Sequence, residues 1–308
     1  MTITNKTSDR EELVVWQNGN ATVTLLKDGT RKVEFDGELN LEFPLNVDIR
    51  ISNRCAFGMN SNTGKTICDF CHESATTDGK DFNVYTLIEE LRYNKLPAGI
   101  ELAIGANQVT PDLFWLLKCA HAEGWICNLT INQGHTWRDL EILRDVIHLG
   151  WIKGLGISYR KGLALPHYKL LDYPNTVFHV IAGIDTVEEV LELAERGVRK
   201  VLVLGEKDFG FNKGRVSLKS ENHVNWYRQV RRLFDVFEVV SFDNLALQQL
   251  NVKRFVMEYD TFYQGEHSFY INAVDQTFSP SSRSSEKVSW ADTSVKDYFK
   301  TLEKTNVR

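Results

Sequence analysis

Cys55, Cys68 and Cys71 fall in one short polar stretch, and few chemistries use thiols spaced that way. Cys68 and Cys71 stand at i, i+3 and can hold one metal centre together, while Cys55 can return to them through the polar, glycine-containing segment 57–67. Four arrangements fit these residues. A structural zinc would use the three thiolates with His72 as fourth ligand, although the adjacent Cys71 and His72 would both have to reach one ion. Cys68-Asp69-Phe70-Cys71-His72 also matches the attachment pattern of c-type haem, which needs an export context. Met1-Thr2-Ile3-Thr4-Asn5-Lys6 lacks the apolar core of a signal peptide and does not provide one. Plain unreactive thiols belong in cores, not in polar loops. The fourth arrangement is a [4Fe-4S] cluster on three thiolates, with one iron left open. Such an iron can chelate the amino and carboxylate groups of S-adenosylmethionine and deliver the electron that breaks a carbon–sulfur bond, giving a 5'-deoxyadenosyl radical.

The elements around the cysteines suit a buried reactive site. Residues 12–36 hold three short strands parted by Asn18-Gly19-Asn20 and Asp28-Gly29-Thr30, which predicts an antiparallel meander. Residues 45–51 alternate as a strand that ends just before Cys55. Strands are then expected at 100–104, 126–131, 152–158, 177–182, 200–204 and 237–242. Helices are expected at 85–95, 111–123, 137–149, 187–196 and 220–234. Strand and helix alternating this often imply a parallel sheet with helical crossovers. The fold class expected is α/β, a partial (β/α)6 TIM-like barrel carrying an N-terminal β-meander (1–43), a core (44–250) and a C-terminal extension (251–308). That extension should hold an antiparallel strand in 267–278, a loop at 279–285 and a helix at 290–302. The three thiols then sit on a βα loop at the C-terminal face, where barrels place their chemistry.

Composition narrows the alternatives. The chain has 308 residues, 43% of them hydrophobic and 25% charged, enough to bury a full core without disulfides. Five cysteines are a poor disulfide framework, and Cys119 and Cys127, on a helix and a strand, read as core. A net charge of -5 argues against broad binding to nucleic acid or anionic membrane, and no segment reaches the ~20 apolar residues of a membrane span. A cytoplasmic location is expected. The basic stretch 207–219 and the segment 227–232 read as solvated surface, with Lys213 and Arg215 as minor phosphate candidates.

On Cys68-Asp69-Phe70-Cys71 the sequence resembles the radical S-adenosylmethionine superfamily, and more closely phage-encoded members with a molybdenum-cofactor-synthase-like or SPASM-like core; the resemblance covers about 44–300. The usual spacing is three and then two residues; here twelve separate Cys55 from Cys68. The resemblance implies that Cys55, Cys68 and Cys71 ligate the cluster, with Phe70 beside it. It implies that Gly105-Ala106-Asn107-Gln108 replaces the family's Gly-Gly-Glu at the methionine amino group. Thr130 and Asn132 then contact the cofactor, Ser158 its ribose and Arg160 its carboxylate, while Gly183, Leu204 and Gly205 lie along its adenine. Ser281 to Ser285 occupies the place where SPASM relatives carry auxiliary-cluster cysteines, so one cluster is expected. A reductant such as flavodoxin or ferredoxin is implied, with a small-molecule or nucleotide substrate, a nucleic-acid base included, or alternatively a peptide. A zinc-stabilised β/α binding protein without radical chemistry is the alternative of another class.

Overall fold

The computed structural model describes residues 2–4, 11–255 and 267–306, so part of the expected C-terminal extension lies outside the described residues. Strand β1 (Thr2–Thr4) comes first. The meander follows as expected: β2 (Glu12–Asn18), β3 (Ala21–Leu26) and β4 (Arg31–Phe35) form a separate three-stranded antiparallel sheet. Then come β5 (Asn46–Arg50), β6 (Arg54–Met59), α1 (Val84–Tyr93), β7 (Glu101–Ala106), α2 (Pro111–Ala122), β8 (Ile126–Asn132), α3 (Leu140–His148) and β9 (Gly154–Ser158). The alternation continues with α4 (Tyr168–Leu171), β10 (Thr176–Ile181), α5 (Val187–Glu195), β11 (Lys200–Leu204), α6 (Glu221–Gln229), α7 (Leu233–Val236), β12 (Val239–Phe242) and α8 (Asn244–Gln249). The chain closes with β13 (Ser268–Asn272), β14 (Thr277–Ser279), β15 (Val288–Ser289) and α9 (Val295–Asn306). Among the described residues no helix is long and apolar enough to cross a membrane.

The large sheet has eleven strands in the order β1-β12-β11-β10-β9-β8-β7-β5-β13-β14-β15. From β12 to β13 all neighbours run parallel, which makes eight parallel strands where the sequence predicts seven. The additional one is β13. Residues 267–278 were expected as one antiparallel strand, but 268–272 pair in parallel with β5, and only β14 turns back antiparallel. An alternating pattern marks which face a residue occupies and says nothing about strand direction. The helix ends moved for local reasons. Trp290 donates its backbone N–H to Gln276 and packs its ring 6.0 Å from Phe278, so α9 begins only after Ser294, whose hydroxyl caps Asp297 N–H. The expected helix 220–234 divides into α6, a 3-10 turn at Val230–Arg232 and α7.

The register gives the sheet two unlike faces. Val47, Ile49, Leu102, Ile104, Leu129, Ile131, Leu155, Ile157, Phe178, Val180, Val201 and Val203 are all buried and share the face covered by helices. Those helices present matching apolar rows, such as Leu87, Ile88 and Leu91 of α1 and Val187, Val190 and Leu193 of α5. Their starts are fixed by Asn83, Thr110 and Ser220 as caps and by a capping box between Thr186 and Glu189. Residues on the other face are mostly small or polar, with Val177, Leu202 and Val239 among them, and the eight parallel strands all contribute to one cavity of about 690 Å³. The sheet is therefore curled around a lumen. No pairing joins β1 to β15 among the described residues.

The meander lies against one end of this lumen. Its β3–β4 turn, 27–31, lines the cavity; Arg31 forms an ion pair with Glu101 at the start of β7, and Asn175 donates to Lys27 O at 2.7 Å. Leu102→Ala, on the helix-covered face, is expected to cost about 2–5 kcal/mol. Leu202→Ala, facing an existing cavity, should cost less than half of that. Chemical denaturation of both variants measures the difference, and equal losses would contradict a two-faced sheet.

Candidate active site

Cys55 lies on β6, a short strand that sequence reading assigned to a loop. The strand is held by bridges from Arg54 and Met59 to Thr76, and Gly58 is required there because a Cβ would stand 2.4 Å from Ala75 O. The chain then turns at 60–64, where Gly64 N–H donates to Asn60 O at 2.8 Å and Asn60 Oδ1 accepts from Asn62 and Thr63. It comes straight back: Thr66 Oγ1 and the N–H groups of Ile67 and Cys68 all donate to Phe57 O, at 3.1 to 3.3 Å. The long interval between Cys55 and Cys68 is thus a folded excursion that returns the second thiol to the neighbourhood of the first. Cys68 and Cys71 are then joined by a turn, with Cys71 N–H donating to Cys68 O at 3.1 Å.

The three thiols are free, and Cys55 feels the charge of both Cys68 and Cys71, while Cys71 feels that of Cys68. Burial raises the pKa of Cys55 and of Cys71, and neighbouring sulfurs add to the rise. Backbone N–H groups oppose it, those of Phe57 and Gly58 at Cys55 and of Glu73 and Ala75 at Cys71. Amides aimed at sulfur favour the thiolate and tune the potential of iron–sulfur centres. Among the described residues no three His, Cys, Asp or Glu side chains converge on a single point as ligands of one ion would. Three cysteines of a cluster bind three different irons, so convergence on one point is not what that group requires. Cys119 and Cys127 are buried as expected, and burial pushes Cys127 up to about 12.

Several elements fix the cysteine loop. Arg50, at the end of β5, pairs with Glu73 at 2.9 Å and donates to its carbonyl at 2.9 Å. His72 Nε2 lies 3.1 Å from Glu73 and 3.3 Å from Lys207 Nζ. Burial works against the charge of Glu73, yet its bond with His72 and the positive charges of Arg50 and Lys207 bring it down to about 2. Phe211 N–H donates to Cys71 O at 3.0 Å, and Gly210 admits this approach, since a Cβ there would stand 2.3 Å from His72 O. Arg215 bonds to Asp69 O at 3.1 Å. The basic stretch read as solvated surface therefore grips the cysteine loop through Lys207 and Arg215. Tertiary contact alone creates this role, and only the position of the stretch, directly after a strand at the same sheet end, signalled it.

Of the expected cofactor residues, Phe70 and Arg160 are brought together across ninety positions of sequence, the guanidinium lying 4.6 Å from the ring centre. One Arg160 Nη donates to Tyr159 O at 2.6 Å, while its Nε is buried without a partner. A guanidinium held against the loop between Cys68 and Cys71 with an unused donor suits a carboxylate ligand. Gly105 faces the lumen with room for a Cβ, and Ala106 is buried on the opposite face. Asn107 donates to Ser52 O at 3.0 Å, tying the end of β7 to the β5–β6 turn, and Gln108 follows half-buried. Thr130 and Ser158 face the lumen side of β8 and β9, while Asn132 accepts from Gly134 N–H at 2.9 Å. Leu204 ends β11 half-buried, and Gly205 N–H donates to Asp243 at 2.9 Å.

Gly183 marks a second polar group that sequence reading did not identify. Its φ is +104°, and a Cβ would stand 2.1 Å from His223 Cε1 and 2.6 Å from Glu206 Oε2. Both neighbours are buried, with His223 Nδ1 at 3.5 Å from Glu206 and Asn212 donating to Glu206 at 3.0 Å. Burial lowers the pKa of His223, Glu206 opposing, and its Nε2 is left without a partner.

No protein-family model matches this sequence, and no curated protein does. Among solved structures the chain is similar to Streptococcus suis SuiB bound to precursor peptide SuiA, with a TM-score of 0.58 and 13% sequence identity. The likeness covers 86% of this chain and 66% of that one, so the chain spans just under two thirds of SuiB's length. At this identity the shared property is the fold.

Gly183→Ala is expected to destabilise the chain by roughly 1–3 kcal/mol from backbone strain alone, with the clash against His223 added. Combining it with His223→Ala should recover the clash and leave the strain. Thermal midpoints of the two variants test this; no recovery in the double variant would mean that the ring is not what Gly183 makes room for.

Proposed function

We propose that this chain is a radical S-adenosylmethionine enzyme in which Cys55, Cys68 and Cys71 hold one [4Fe-4S] cluster. The observation that supports this most is the return of the chain from Cys55 on β6 to Cys68 and Cys71 through the bonds at Phe57 O, with two of the three free thiols receiving backbone N–H bonds. When bound, the cluster supplies a low-potential electron that breaks a carbon–sulfur bond of S-adenosylmethionine, giving the 5'-deoxyadenosyl radical that removes hydrogen from substrate carbon.

The chain's own residues bind and shield. Arg160 takes the methionine carboxylate with its unused Nε donor, while Phe70 supports the guanidinium plane. Asn107 and Gln108 accept from the ammonium in place of a carboxylate, a weaker bond because an amide carries no charge. Thr130, Asn132 and Ser158 serve the ribose side; Gly183, Leu204 and Gly205 line the adenine side, Gly183 because a Cβ would fill the space before His223. The inner face of the curled sheet would shelter the reacting carbon from water.

With Cys119 and Cys127 in the core, this arrangement supports a single cluster, which favours hydrogen abstraction followed by rearrangement, coupling or lyase chemistry. The substrate is a small molecule, a nucleotide or a peptide. The peptide class gains support from a protein of the same fold seen with a precursor peptide. The electron comes from a reductant of the flavodoxin or ferredoxin kind.

Anaerobic reconstitution should give a brown protein with about four irons per chain. Dithionite and S-adenosylmethionine should then release 5'-deoxyadenosine, and Cys68→Ala should abolish both iron uptake and release. A colourless zinc protein without turnover would overturn the reading, and clearly more than four irons would overturn the single cluster. Running the same assay against pools of peptides, nucleotides and DNA identifies the substrate class by which pool accelerates release.

A further inference from the structure

The cavity of about 690 Å³ falls within the range of small-molecule sites, and none of the cysteines lines it. Its charges are unevenly satisfied. Glu101 is matched by Arg31 and by the Asn128 amide, which donates to it at 3.1 Å. Lys200 forms no ion pair among the described residues: its Nζ lies 3.4 Å from Asn175 Oδ1, and the carboxylates that bear on it, Asp28 on the cavity wall and Glu238, act at longer range with Arg199 opposing them. Asn175 is itself held rigidly, donating to Lys27 O at 2.7 Å and to Lys153 O at 2.9 Å. Lys153 contributes to the same wall with its Nζ placed toward Gly150, which does not line the cavity. A half-buried ammonium beside a polar void is costly unless an anion meets it.

Farther along the wall stands His179, whose backbone carbonyl accepts from Tyr159 N–H at 2.9 Å and whose ring makes no hydrogen bond among the described residues. Burial brings it down to about 4, so the ring is neutral and can both donate and accept. Gly156 makes its position possible, because a Cβ there would stand 2.7 Å from both Cε1 and Nε2 of the ring. Thr130 and Ser241 share this wall.

We propose that the meander end of the lumen is an anion site: Lys200, oriented by Asn175, pairs with the carboxylate or phosphate of a small polar molecule whose body lies along His179 and Ser241. The site is independent of the cysteines, so its test is binding and not turnover. Thermal midpoints of the purified chain are followed at constant ionic strength while chloride is replaced by inorganic phosphate in one arm and by glutarate in the other. A saturable rise in either arm is expected, and the arm that responds distinguishes phosphate from carboxylate. Lys200→Met should weaken the response at least about tenfold, the loss of one charge-assisted bond, whereas Lys200→Arg should retain it. Val239→Asp leaves Lys200 in place and sets a carboxylate beside it on the paired strand, so it should weaken the response as much. The proposal is overturned if neither anion gives a saturable rise, or if both the Met and the Asp variants respond like the parent chain.

Discussion

The structure depends on strict alternation along its parallel strands. One set of residues, typified by Ile49, Leu102, Leu129, Ile157, Phe178 and Val203, meets the helices and is buried almost completely. The hydrophobic effect acting on that set is enough to hold sheet to helix, at about 25 cal/mol per Å² of apolar surface removed from water. The alternate set, with Asp48, Arg50, Thr130, Ser158, His179, Lys200 and Tyr270, is released from packing. A slip of one residue in any strand would drive such groups under the helices, where each lacks a partner. Register is therefore fixed by the same pattern that frees the inner face for polar chemistry.

A freed face does not position a loop, and the cysteine loop needs contacts of its own. These come from separate elements: β6 through Phe57 O, β5 through Arg50, β13 through Tyr270 near Glu73, and the chain after β11 through Lys207, Phe211 and Arg215. Most of these bonds end on backbone atoms or on Glu73, not on sulfur. That division leaves the thiols available while the chain carrying them is held by its own contacts. Asp48 shows the same economy on the inner face: burial raises it to about 6, Lys207 and Arg31 opposing, so its charge sits near balance between the loop and the floor.

Much of this was legible in the sequence because it rests on local pattern. The meander turns are Asn18-Gly19-Asn20 and Asp28-Gly29-Thr30; the strand at 200–204 falls where Lys-Val-Leu-Val-Leu alternates; Cys127 sits on the apolar phase of its strand. What escaped depends on contacts between distant segments. Ser268 to Asn272 carries no mark of its direction, and β6 owes its existence to Thr76 and Ala75. Arg215 reads as any surface arginine until Asp69 is placed beside it. The excursion 57–67 was visible as an insertion, yet its return to Phe57 requires hydrogen bonds that no spacing rule encodes.

The meander illustrates how such a distant contact changes the meaning of a small element. Taken alone, three short strands make a marginal sheet, and this one borrows stability from the end of the parallel sheet it packs against. Val23 is buried there, and Trp16 packs against Gly99 so closely that a Cβ would lie 2.6 Å from its ring. Its turn brings Arg31 to Glu101 and Lys27 to Asn175, both at the starting ends of parallel strands. The cysteines occupy the finishing ends. A polar lumen open at both ends would fill with bulk water and screen every charge within it. By lining one end with its turn, the meander narrows the access of water to Lys200, His179 and Thr130, and for that reason it is part of the site's physics although it contributes no thiol.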